Sequence, residues 1–155
     1  MKRIFAILAV AAALVASVSC EKYEDGKPAD AIINLFEKMY PDAKDIEWER
    51  AGTLWEVSFE TGTAPNEIDH TAWYDMEGNW VKTKTEIHVT SVPSEIKEFL
   101  QNSEFASSVL EDTEIDFYET PDGNFYRFEI LYNGARVSVD VTEDGKVSLA
   151  GLELW

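Results

Sequence analysis

Cysteine is almost missing from this chain: of 155 residues only Cys20 is one. No disulfide can form within it, and a cysteine-built zinc site is excluded. Histidine is nearly as scarce. His70 and His88 are the whole supply, and their spacing matches no metal-ligand pattern. No His-Glu-x-x-His, nucleophile elbow or phosphate-cradling glycine loop is present. Basic residues number 13 against 30 acidic ones, a formal net charge of −17. A surface that negative repels nucleic-acid phosphate and anionic headgroups, so neither is an expected partner. Carboxylates are so numerous that no acid/base pair stands out. The expectation is a protein that is not an enzyme and carries no cofactor and no metal.

The one long apolar run is at the start. Lys2 and Arg3 precede the stretch from Ile4 to Val18, and polar Glu21-Lys22 follows Cys20. This is the layout of a secretory signal, too short and wrongly flanked for a membrane span. Val18-Ser19-Cys20 resembles the lipobox of bacterial lipoproteins, in which the cysteine is lipidated and becomes residue one. Ser17 stands where that box usually has leucine. Residues 1–19 are therefore expected to be a signal peptide. Residues 20–27 should then be a lipidated tether holding the protein to the membrane by its lipid anchor alone, in the periplasm or on the cell surface.

What remains is 45% hydrophobic and 12% aromatic over the whole chain, enough for a packed core. Pro28 suits a helix start, and Ile32, Leu35, Phe36 and Met39 fall on one helical face before Pro41. From Ile46 to Ile87 four short runs alternate in polarity, as half-buried strands do. Ile68, His70, Ala72 and Tyr74 share one parity, and Asp69, Thr71, Trp73 and Asp75 the other. Val81, Thr83, Thr85 and Ile87 alternate with Trp80, Lys82, Lys84 and Glu86. His70 thus reads as a hydrogen-bonded core histidine.

After Pro93 the same order returns. Ser94 is placed to cap a helix with Ile96, Phe99 and Leu100 on its apolar side. Asn102 to Asp112 either extends that helix or forms a second short one. Strand-like runs follow from Ile115, with Asn133-Gly134 marking a tight hairpin. Asp140, Glu143 and Asp144 beside Gly145 read as an ordinary turn rather than a calcium loop. The halves 28–90 and 91–155 therefore look duplicated. Ile46-Glu47-Trp48 answers to Ile115-Asp116-Phe117, and Asp75-Met76-Glu77-Gly78-Asn79 to Thr142-Glu143-Asp144-Gly145-Lys146. The expected fold is α+β: a tandem repeat of one helix plus a four-stranded antiparallel sheet, helices on one face.

This strand spacing, these acidic glycine turns and the aromatic-rich strands resemble the PepSY-like, or β-lactamase-inhibitor-like, periplasmic proteins over roughly residues 28–155. The inhibitors for which that group is named carry disulfides, and this chain has none. The resemblance implies a secreted binding module.

Helices on one face leave the other open, and the polar parity of each strand should point there. That parity collects Glu56, Ser58, Glu60, Trp73, Trp80, Lys82, Lys84, Phe125, Arg127, Glu129, Arg136 and Ser138. Aromatic rings and guanidinium groups are the side chains that most often anchor interfaces. The candidate partner-binding residues are Trp73, Trp80, Lys82, Lys84, Phe125, Arg127 and Arg136. The partner expected is an unknown protein of the cell envelope, an enzyme held in check being one form of it; the alternative is a small molecule or cation. The same residues also suit a solvated sheet stabilised by its own cross-strand pairs.

Overall fold

A computed structural model describes Tyr23 and residues 26–151. The expected signal peptide, the lipidation site Cys20 and most of the tether lie outside the described residues. Chain order is α1 (Asp30–Met39), β1 (Lys44–Ala51), β2 (Leu54–Thr63), β3 (Asn66–Tyr74), β4 (Trp80–His88), a 3₁₀ turn at Val89–Ser91, and α2 (Ser94–Gln101). Then come β5 (Val109–Leu110), β6 (Glu114–Glu119), β7 (Phe125–Tyr132), β8 (Ala135–Thr142) and β9 (Val147–Leu149).

The expected tandem repeat of a helix and a four-stranded sheet is corrected by the strand pairing. The nine strands of the described residues belong to one antiparallel sheet, ordered β1-β2-β3-β4-β6-β7-β8-β9, with β5 also against β7. The joint is the β4–β6 ladder, which runs from Thr83↔Glu119 to His88↔Glu114. Helix is a minor part: α1 has 10 residues and α2 has 8. Alternation in a sequence reports which face a side chain takes, not which strand lies alongside it, so separate sheets and one continuous sheet read alike.

Both helices pack on the sheet side that carries Val57, Ala72, Thr83, Ile115, Phe128 and Val139. α1 turns Ile32, Ile33 and Phe36 inward, a helical spacing that makes one apolar stripe. The Phe36 ring meets Trp48 edge-on at 5.4 Å and Phe59 at 5.0 Å. Pro41 follows the Tyr40 C-cap, whose N–H closes the last turn on the Phe36 carbonyl at 2.8 Å. α2 buries Ile96 against a second cluster built from Phe105, Ile115, Tyr126, Phe128, Ile130, Val139 and Val141. Pro93, not Ser94, occupies its N-cap, and no side chain caps it. The ambiguous stretch after α2 is neither a longer helix nor a second one: turns lead to the two-residue strand β5.

Asn133 and Gly134 both take positive φ, 52° and 80°, the pair that a tight hairpin between β7 and β8 requires. On β4 the ladder skips a residue. Trp73 pairs with Lys82 but Tyr74 pairs with Trp80, so Val81 is an extra residue on that strand. A bulge of this kind resets the pleat and moves every residue beyond it to the opposite face.

Candidate partner-binding face

The bulge at Val81 decides where the predicted residues go. Trp80 was expected on the open face with Lys82; the structure turns it to the helix side instead. There it packs on the first core cluster, and its indole N–H donates to Thr83 Oγ1 at 2.9 Å. Thr83 is fully buried, and the same oxygen lies 2.5 Å from the Tyr40 hydroxyl. Burial raises the Tyr40 pKa, which keeps the phenol protonated; the Thr83 bond pulls the other way and is outweighed. His70 lies on this side too, as expected. It is stacked on Phe59 at 4.9 Å and held between Thr61 and Thr85 at 2.8 and 2.9 Å. Burial lowers its pKa against the opposing charge of Asp69.

The other face carries the remaining candidates, and adjacent strands join them into one band. Trp73 Nε1 donates to Glu56 at 2.6 Å. Lys82 Nζ stands 4.5 Å from the Trp73 ring centroid and 5.4 Å from that of Tyr118. Tyr118 is stacked on Phe125 at 4.7 Å with their planes 10° apart. The Arg127 guanidinium lies over both rings, at 4.9 and 5.6 Å, and forks onto Asp140 at 2.8 and 3.1 Å. The band therefore crosses from β2 to β8. Register produces it: Glu56↔Trp73↔Lys82 is one row, and Lys84↔Tyr118↔Phe125 the next.

Beside the band, Lys84 bonds Glu86 at 2.8 Å and lies 3.8 Å from Asp116. Burial alone would lower its pKa, but the Glu86 bond and the Asp116 charge outweigh that and raise it. Burial raises Asp116, in spite of Lys84 and Arg127. Arg136 is at the far end, 72% exposed in its side chain and paired with Glu111. Leu131, its partner across the ladder, is 40% exposed.

Trp73, Lys82, Lys84, Phe125 and Arg127 are thus brought together, Arg136 is set at the rim, and Trp80 is on the opposite side. Tyr118, Asp116 and Asp140 complete the face and were not among the candidates. Strand parity held the signal for all three: each sits one residue from an inward-facing side chain, Asp116 beside Ile115, Tyr118 beside Phe117 and Asp140 beside Val139. Toward β1, the face carries carboxylates instead. Partial loss of hydration and the charges of Glu67, Asp45 and Asp69 raise the Glu60 pKa. Among the described residues, no group of three or more His, Cys, Asp or Glu side chains is arranged to hold a metal ion.

No curated protein matches the chain. Solved structures do. A BLIP-like protein from Bacteroides fragilis superposes with a TM-score of 0.69 at 21% identity, covering 84% of this chain and 90% of that one. A Bacteroides eggerthii protein described as periplasmic gives 0.65 at 21%, covering 79% and 86%. A DUF2874 family protein from Bacteroides ovatus gives 0.65 at 18%, covering 80% and 89%. At these identities the likeness speaks for the fold. Residues 55–148, from the start of the second strand to the last, match the beta-lactamase-inhibitor-like, PepSY-like family, and the chain belongs to it.

Proposed function

We propose that this protein is a binding module of the cell envelope, without chemistry of its own, that takes a protein partner on the helix-free face of its sheet. One observation carries the reading: the continuous band Glu56–Trp73–Lys82–Tyr118–Arg127–Asp140, on a side where no helix of the described residues packs. Its internal contacts hold rings and cations in place before a partner arrives, which lowers the ordering cost of binding. Arg136 and the exposed Leu131 extend the band to a rim that is polar on one side and apolar on the other. The described periplasmic location of one structural neighbour supports the envelope assignment. Lipidation at Cys20 belongs to the same proposal, and loss of membrane retention in Cys20→Ser tests it.

The face is tested by capture from an envelope extract with immobilised protein. A Lys82→Met, Arg136→Glu variant keeps an aliphatic stem over Trp73, removes one cation and reverses the charge at the exposed rim. It is expected to lose the captured partner while its melting midpoint stays near that of the wild type. Trp80→Phe, on the opposite side, is expected to retain the partner. Full recovery of the partner by the open-face variant would reject the proposal.

A further inference from the structure

The helix-covered side of the sheet holds a second feature, independent of the open face. Between α2, the turns after it and strands β5 and β7 lies a partly open cavity of about 210 Å³. Leu100, Phe105, Leu110, Phe128 and Ile130 line it, and Lys97 stands with them as the one charged side chain of its wall among the described residues. Phe105, Phe128 and Ile130 are buried residues of the second core cluster, so the floor is built by two side chains of β7 and one from the turns after α2.

Size and charge together select the occupant. Cavities that take drug-sized ligands run from about 300 Å³ upward, and an engineered apolar cavity of about 150 Å³ accommodates benzene. The space here fits between those, a ring or a short alkyl chain with one small polar head. The head is specified by Lys97. Its Nζ reaches the Val89 carbonyl oxygen at 3.4 Å, a long bond that uses one of three donors. Among the described residues it makes no ion pair, in a chain with more than two carboxylates for every cation. A half-buried ammonium at an apolar wall is best satisfied by an anion whose remainder is apolar.

We infer that the cavity beneath α2 is a binding site for a small monocarboxylate with an apolar tail. The tail lies on Phe105, Leu110, Phe128 and Ile130, and the carboxylate accepts from Lys97 Nζ. A dication or a polyanion does not fit this lining, which among the described residues has a single cation and no acidic group.

The test is titration of the full chain with octanoate, octanol and octyltrimethylammonium, followed by methyl NMR at Leu100, Leu110 and Ile130. Octanoate is expected to shift these methyls saturably, with octanol weaker and octyltrimethylammonium weakest. Lys97→Met, which keeps the stem, should weaken octanoate at least tenfold and leave octanol unchanged. Ala106→Trp, at the exposed lip of the cavity, should block both. Equal binding of the three probes, an unchanged octanoate affinity in Lys97→Met, or no methyl shifts at millimolar octanoate would each overturn the inference. None of these results bears on partner capture by the opposite face.

Discussion

The Lys82 ammonium stands 4.5 Å from the centre of the Trp73 ring, and the rim of that same indole is tied to Glu56. The pair is fixed from both sides, the face by a cation and the N–H by a carboxylate. Trp73→Phe keeps a ring beneath Lys82 and removes the bond to Glu56. A stability loss of about 1.5–3 kcal/mol is expected, the usual net contribution of a bond to a charged group. A double-mutant cycle with Glu56→Gln in urea unfolding reads the coupling directly. A coupling indistinguishable from zero would show that the bond does not hold the band together.

Thr83 is the one buried polar side chain of the described core, and Tyr40 and Trp80 meet on its hydroxyl. Thr83→Val keeps the shape and deletes the shared oxygen. Two polar groups then lose their partner, and a loss of about 1–3 kcal/mol is expected. Trp80→Phe in the Thr83→Val background should cost less than in the wild type, because its N–H is already unpaired. Additive losses would show that the two groups do not depend on Thr83.

Two glycines at hairpin turns separate backbone strain from steric contact. Gly134 has a φ of +80° with open space where a Cβ would go, and Gly145 has +88° with the Phe99 ring 2.9 Å from that point. Gly134→Ala should cost roughly 1 kcal/mol from the left-handed backbone alone. Gly145→Ala should cost more, since the Phe99 ring of α2 must also move. Phe99→Leu should shrink the excess at Gly145 and leave Gly134→Ala as it was, measured by thermal unfolding.

His70 predicts a pH dependence. Burial lowers its pKa below the ordinary 6.5, so the unfolded chain binds the proton more readily than the folded one. The contribution to stability is complete above pH 6.5 and is lost as pH falls through 6.5 toward the depressed folded value, then levels off. His70→Gln should flatten the stability profile in that window. A ring titration followed by NMR should show a midpoint below 6.5; a midpoint above it would contradict the buried, Thr-bracketed setting.

Much of this was legible in the residue pattern because it depends on neighbours along the chain. Strand alternation identifies which residues of β2, β3 and β7 face the helices, and it placed His70 on that side and Trp73, Arg127 and Arg136 on the other. It did not show that Trp73, though on the helix-free face, is only 5% exposed. Asn133-Gly134 marks its hairpin since few other residues tolerate two positive φ values in succession.

Trp80 shows where such reading ends. A single extra residue, Val81, turns the indole from one side of the sheet to the other, and nothing local in Trp80-Val81-Lys82-Thr83 announces it. The pairing of β4 with β6 is equally silent in the sequence, because hydrogen bonds between strands about thirty residues apart are made by backbone groups common to every residue. The chain's own order determined what is apolar, what turns and what alternates. Only the assembled sheet decided which rings meet which cations, since that depends on register across strands, and register is settled by the packing of the whole core.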